Sequence, residues 1–204
     1  MVLPAYIDAS TGAITDGEAW VGIATTTLGA GATSVTFTST DDGQVGDWSQ
    51  YMDLVLITYT RTNYADTSDN IRTAPNGDTT STNFVSQRLY GTAGAATAQN
   101  WSFSSYGIAK LLSPAANSPS NVFAAHVVDL FDINSGKYKS SLLKGAIEGW
   151  EADGDSGDGR VDLHGTTWIS QAPITSLVWE PSNGTEIVAG SMFSLFGVLP
   201  RMVA

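Results

Sequence analysis

The chain has 204 residues, of which 42% are hydrophobic, only 14% are charged and none is cysteine. The length fits one domain, and the lack of cysteine excludes disulfides, thiolate metal sites and a cysteine nucleophile. The formal net charge of −11 disfavours nucleic acid as a partner, because phosphate groups are also anionic. No run of about 20 apolar residues predicts a membrane span, and we expect a protein that is made in a cytosol and does not bind membranes.

Strand signals dominate the chain, and turn clusters rich in Gly, Asn and Asp separate them. Residues 52–60 are almost all β-formers, which predicts a central strand covered on both faces. In residues 121–131, His126 and Val128 fall on one face of a long strand. The predicted strands with the clearest patterns cover residues 34–38, 52–60, 121–131, 174–180 and 191–198.

Helix signals are scarce. Only residues 140–150 have the spacing of a short helix, and Gly145 and Gly149 count against it. Two other segments, residues 60–82 and 91–100, are predicted to be long loops.

The spacing of about eight to ten strands predicts an all-β fold, a jelly-roll-like antiparallel β-sandwich in a single domain. We assign residues 18–204 to this domain. Residues 1–17, which contain Pro4 and turn signals, are predicted to form an extended N-terminal arm.

Catalytic motifs are missing from the sequence. The two histidines, His126 and His164, are expected to be satisfied core or surface residues, and His164 is placed near a turn. There is no Gly-x-Ser-x-Gly elbow, phosphate-binding glycine loop or dinucleotide fingerprint. We therefore predict no catalytic residues, no cofactor and no enzymatic activity.

One acidic segment could bind a cation. Asp153, Asp155 and Asp158 lie within six residues that also contain flexible glycines, a composition suited to a hard ion such as calcium. The spacing departs from that of an EF-hand, because the third acid is displaced and no glutamate follows. The alternative is a solvated acidic turn.

The six tryptophans are interpreted as core or interface residues, because tryptophan is largely buried on average. Trp179 alternates with Leu177 and is predicted to lie in the core. The alternative is a sugar-stacking surface, for which Trp101 and Trp150 would form an exposed pair.

The C-terminal segments resemble a sequence signature of a known protein family. They read ITSLVWE from Ile174, Asn183-Gly184, and AGSMFSLFGV from Ala189, and resemble the closing "I-T-S-I … G-S-x-F-x-L-Y-G-I" signature of many tailed-bacteriophage structural proteins. Upstream segments similar to the same proteins are LITYTRT from Leu56, NGD from Asn76, QRLYG from Gln87, and NVF from Asn121 leading into Asp129 and Lys139. Phe196 stands where the signature has tyrosine, and Asn-Gly-Asp is followed by Thr-Thr-Ser.

The strand between Gly190 and Gly197 is apolar on both faces, which calls for a sheet on one side and a second sheet or a partner subunit on the other. The resemblance implies a non-enzymatic virion structural protein, made in the host cytoplasm. Within that family we expect a homotrimeric capsid decoration or cement protein that binds the major capsid protein lattice of the phage head. The alternative is a tail- or fibre-associated protein with a carbohydrate-binding, host-recognition role. A third hypothesis is an enzyme that acts on cell-wall sugars or lipids, but no motif in the sequence supports it.

Overall fold

The computed structural model describes residues 6–7, 14–15, 20–92, 95–102, 105–147 and 159–199. The strands are β1 (Tyr6–Ile7), β2 (Ile14–Thr15), β3 (Trp20–Thr27), β4 (Val35–Thr38), β5 (Asp53–Thr60), β6 (Ser68–Pro75), β7 (Phe84–Thr92), β8 (Ala95–Asn100), β9 (Ala109–Pro114), β10 (Ala124–Phe131), β11 (Lys139–Ile147), β12 (Arg160–Trp168), β13 (Ser176–Pro181) and β14 (Met192–Val198). Two single-turn 3₁₀ helices cover Trp48–Gln50 and Ser81–Asn83. Neither they nor any other helix in these ranges is long and apolar enough to cross a membrane.

Apart from the β1–β2 pair, the described strands form two antiparallel sheets with jelly-roll topology. Eight framework strands are divided between these sheets, in the order β3-β14-β5-β10 in the large sheet and β4-β13-β6-β9 in the small sheet, and successive framework strands change sheet except from β6 to β9. The first framework strand is thus beside the last one, as two interlocked Greek keys require. The predicted all-β, jelly-roll-like sandwich is confirmed.

The large sheet continues beyond the framework. Strands β11, β12, β7 and β8 are added in that order next to β10, so the large sheet has eight strands against four in the small sheet. We call these four strands the extension. They are inserted between framework strands, β7 and β8 after β6 and β11 and β12 after β10.

A single core fills the space between the framework sheets. The large sheet contributes Leu56 and Phe193, and the small sheet contributes Leu111 and Trp179, all essentially without solvent exposure. Trp179 packs edge-on against Phe37 at 5.3 Å between ring centroids and tilts against Phe193 at 5.6 Å. The core position predicted for Trp179 is confirmed, and this shared apolar burial is the main force that holds the two sheets together.

Three local predictions are wrong. Residues 139–147 form strand β11 and not the start of a helix. Both faces of β11 carry apolar side chains, such as Leu142 and Leu143. Adjacent apolar residues of this kind also occur in the apolar pattern of an amphipathic helix. The predicted loops 60–82 and 91–100 contain β6 and β8, which sequence patterns miss because their outward residues are polar or small.

The predicted N-terminal arm is described only at two short strands. Tyr6–Ile7 pairs antiparallel with Ile14–Thr15, so these parts of residues 1–17 form a paired ladder. The course and role of the rest of the arm lie outside the described residues.

Candidate functional site

The extension exposes apolar side chains on the outer surface of the large sheet. Leu89 of β7 and Leu163 of β12 are directly paired, and they are 51% and 43% exposed. Val161, one position along on the same face, is 66% exposed. In an antiparallel sheet with one solvated face, the outward positions are normally polar. Here the outward positions are apolar.

The inner face of the same strands is polar. Arg88 donates two hydrogen bonds to the carboxylate of Asp162, at 2.7 and 2.5 Å, and both side chains are almost fully buried. Ser86 and Thr166 lie 3.2 Å apart on the same face. The small sheet ends at β9, and in β7 and β12 only the paired Phe84 and Trp168, at one end of these strands, belong to the apolar core. The usual orientation of the strands is therefore inverted in this part of the molecule.

The exposed apolar surface continues from the extension onto the framework. We call it the outer strip; it consists of Ile57 and Tyr59 of β5, Ala125 and Val127 of β10, Lys144 and Ala146 of β11, Val161 and Leu163 of β12, Leu89 and Gly91 of β7, and Ala96 and Ala98 of β8. Six strands at a spacing of about 4.8 Å make it about 24 Å across. Along each strand it covers two outward positions, about 7 Å apart, so the strip is a narrow apolar band and smaller than the ~800 Å² that one partner usually contributes to a stable interface.

A groove runs along the middle of the outer strip. It has a volume of about 420 Å³, and the directly paired Ala125 and Ala146 form its floor while Val127 and Leu163 belong to its walls. The one charged member of the strip, Lys144, is paired with Asp129 at 2.9 Å. The groove therefore offers a neutral, apolar and concave surface.

The two edges of the large sheet are also free of charge. The edge strands are β3 and β8, and neither contains a charged residue. Natural edge strands usually carry lysine, proline or bulges that prevent further pairing; β3 has a bulge at Ile23, whereas β8 pairs with β7 without a register shift. At the β3 edge, Trp20 is more than half exposed and its ring lies 6.0 Å from that of Phe196.

Both histidines lie inside the molecule. His126 is buried, with Nε2 2.9 Å from the carbonyl oxygen of Leu112 and Nδ1 3.3 Å from Oγ1 of Thr58. His164 lies in the middle of β12 and not near a turn, and its Nε2 has no hydrogen-bond partner among the described residues. Burial lowers the pKa of each histidine to about 4, so both are neutral at physiological pH.

The predicted cation ligands Asp153, Asp155 and Asp158 lie outside the described residues. Within the parts of the chain that the structure describes, no three His, Cys, Asp or Glu side chains cluster as metal ligands. Trp150, the predicted sugar-binding partner of Trp101, also lies outside the described residues. Trp101 is half-buried, with the guanidinium carbon of Arg88 4.6 Å from its ring centroid.

The outer strip is not predicted by the sequence, although part of its signal is present. Val161 and Leu163 alternate with Asp162 and His164, as in any half-buried strand. The alternation does not say which of the two faces is solvated. Comparisons of the chain with protein-family models, with curated proteins and with solved structures gave no match.

Proposed function

We propose that this chain is a non-enzymatic structural protein of a bacteriophage particle, and that it works by binding other proteins through the outer strip. The observation that carries the proposal is the part of the extension where Leu89, Val161 and Leu163 face outward while the buried Arg88–Asp162 ion pair faces inward. A contiguous apolar surface of this kind is typical of protein interfaces. The phage-like C-terminal signature supplies the biological setting.

The outer strip is proposed to bind a second copy of the same chain. Each copy carries a net charge of −11, so two copies repel each other over most of their surfaces. Within the strip the only charge, that of Lys144, is already neutralised by Asp129. Permanent contacts between identical subunits are also more apolar than transient contacts. These arguments favour a homo-oligomer, and we propose the trimer.

The oligomer would act on the phage head as a decoration or cement protein. A protein that binds only the assembled lattice of the major capsid protein stabilises that lattice by mass action. An oligomer that spans several capsid subunits gains further strength, because each contact after the first is intramolecular. No chemical step is involved.

The decisive experiment is to count copies of this chain in purified particles of the phage that encodes it. Quantitative mass spectrometry would measure the ratio of this chain to the major capsid protein. We expect a ratio near one, or near one-third. A dozen copies or fewer would contradict the head role and favour the tail-associated, carbohydrate-binding alternative. Complete absence from the particle would overturn both.

A further inference from the structure

A second concave site lies on the opposite side of the extension from the outer strip. It is a pocket of about 310 Å³, lined by Asn70 and Arg72 of β6, Lys110 of β9, Trp101, Ser105, Ser182 and Asn183. Strand pairing builds its cationic wall. Arg72 and Lys110 are directly opposite each other in the β6–β9 ladder, and the neighbouring pair Ile71 and Leu111 points into the core. Arg72 and Lys110 therefore share the other face.

Lys110 is the most unusual residue of this pocket. Its side chain is buried, with only 4% of the residue exposed, and Nζ has no hydrogen-bond partner among the described residues. Nζ lies 5.1 Å from the ring centroid of Trp101. This cation–π contact is weaker than an ion pair with a buried carboxylate would be. Buried ammonium groups are normally paired, because removing an isolated charge from water is costly.

Lys110 is not neutralised by deprotonation at physiological pH. Burial lowers its pKa to about 8, and the nearby Arg72 and Arg88 lower it in the same direction. At pH 7 the ammonium form is still the major one. The pocket therefore holds a buried positive charge under the conditions in which the protein works.

Two carboxylates near the pocket, Asp162 and Glu180, are committed to other groups, and a third, Asp69, accepts hydrogen bonds from Asn183 and Gly184. Asp162 accepts two hydrogen bonds from Arg88 and one from Arg160. Glu180 accepts a hydrogen bond from the hydroxyl of Tyr106. Neither Asp162 nor Glu180 forms an ion pair with Lys110 or Arg72 within the described residues.

Further polar atoms in the pocket lack partners. Nε of Arg72 and Oδ1 of Asn70 are buried without a hydrogen bond in the described part of the chain. The guanidinium of Arg72 is held in place by Tyr106, whose ring centroid is 4.3 Å away, and by the carbonyl oxygen of Ser182 at 3.1 Å. A fixed guanidinium beside an unpaired ammonium is the arrangement that binds oxyanions.

We propose that this pocket binds an oxyanion, a carboxylate, sulfate or phosphate group carried by a ligand no larger than one sugar unit. Lys110 and Arg72 bind the anionic oxygens. The hydroxyl of Ser105 and Oδ1 of Asn183, whose amide nitrogen donates to Asp69 at 2.9 Å, line the rest of the pocket. This activity goes beyond the proposed structural role and uses different residues, so either can fail without the other.

The test is isothermal titration calorimetry on the full chain at pH 7 and constant ionic strength, with glucuronate, phosphate and sulfate as probes and glucose as the neutral control. We expect saturable 1:1 binding of at least one anion and no binding of glucose. Glucuronate alone would identify a carboxylate site, and phosphate or sulfate a tetrahedral-anion site. Lys110→Met should weaken binding by about tenfold or more, the scale of one charge-assisted hydrogen bond.

Lys137→Met serves as the matched control, because the side chain of Lys137 is 80% exposed and lies outside the pocket. The affinity of the Lys137→Met variant for the anions should equal that of the unmodified chain. Arg72→Met provides a second test if Lys110→Met does not fold. The proposal is overturned if none of the three anions binds, if glucose binds as well as the anions, or if the folded pocket variants bind like the control.

Discussion

Leu89 and Leu163 face each other directly across β7 and β12, and both are exposed on the outer surface of the sheet. The residues that precede them, Arg88 and Asp162, form a buried ion pair on the opposite surface. The two strands thus turn their apolar side outward and their charged side inward. The proposed partner-binding surface and the proposed oxyanion pocket therefore lie on opposite faces of these strands.

The first prediction concerns self-association. Leu163→Glu places a charge in the wall of the groove, where contact with another copy would strand it in an apolar environment. We expect the dissociation constant of the oligomer to rise at least about tenfold. Sedimentation velocity over a range of protein concentrations would measure it, and circular dichroism would report whether the fold is kept.

Tyr138→Glu is the control for this charge. Tyr138 is more exposed than Leu163, but it lies between β10 and β11 and not in the outer strip. Its oligomeric state should be unchanged. If both variants associate as the unmodified chain does, the outer strip is not the interface.

The second prediction concerns packing at the C-terminal strand. Gly197 of β14 lies against the ring of Tyr51, and an added Cβ would overlap that ring. The ring cannot easily move, because Tyr51 is buried and its hydroxyl donates to the carbonyl oxygen of Val45 at 2.7 Å. Gly197→Ala should therefore lower the free energy of unfolding by about 1–3 kcal/mol, the usual range for overpacking.

Chemical denaturation would measure this loss, and Gly165→Ala provides the comparison. Gly165 is in β12, and no atom lies within 4 Å of the position of an added Cβ. We expect this variant to match the unmodified chain or to be more stable by up to about 1 kcal/mol. Equal effects of the two substitutions would show that Tyr51 does not restrict residue 197.

The sequence predicted the framework well because framework strands obey local rules. Asn76-Gly77 is an example of the Asn- and Gly-rich turn clusters, and both residues have the positive φ values, 50° and 69°, that a tight turn of this composition uses. Strands β5, β10 and β14 lie within the predicted segments. By contrast, β11 was hidden because its two faces are both partly apolar.

The two sites could not be predicted from local patterns. Which face of β12 is solvated depends on where the small sheet ends, a property of the whole fold. Arg72 and Lys110 are far apart in the chain and meet only through the β6–β9 pairing. The strand alternation of Arg160, Asp162 and His164 was visible, but nothing local indicated that this charged face would be the inner one.

The third prediction concerns acid stability. The pKa of His126 and that of His164 are lowered to about 4 in the folded chain, mainly by burial, from 6.5 when exposed. Between pH 6.5 and 4 the unfolded chain therefore binds more protons than the folded chain. The free energy of unfolding should therefore decrease as the pH is lowered from 6.5 to 4, by up to about 3 kcal/mol per histidine.

Urea denaturation between pH 7 and 5 would test this prediction. The lowered pKa values of Asp47 and Asp78 reduce stability only as the pH falls below about 4, so they do not contribute in that window. His126→Gln removes one of the two histidines that take up a proton on unfolding. The free energy of unfolding of this variant should therefore depend less steeply on pH. A flat profile between pH 6.5 and 5 would contradict the buried, neutral state of both histidines.

The fourth prediction concerns Lys110 without a ligand. The pKa of Lys110 falls from 10.5 in the unfolded chain to about 8 in the folded chain, so between these values the unfolded chain binds more protons. Stability from this group should rise as the pH increases from 8 to 10.5, and its charged form should destabilise the fold at pH 7. Lys110→Met, which removes the charge and keeps most of the length, should raise the free energy of unfolding by about 1–3 kcal/mol at pH 7.

Thermal and urea unfolding in a chloride buffer would measure this gain, with Lys137→Met as the neutral comparison. A fixed concentration of oxyanion that saturates the unmodified chain should narrow the difference in free energy of unfolding between Lys110→Met and the unmodified chain, because the anion binds more tightly to the fold that retains the ammonium group. Functional sites commonly keep a charge that destabilises the fold in the absence of ligand. A Lys110→Met variant that is less stable than the unmodified chain would mean that the ammonium group is already paired in the fold and is not free to bind a ligand.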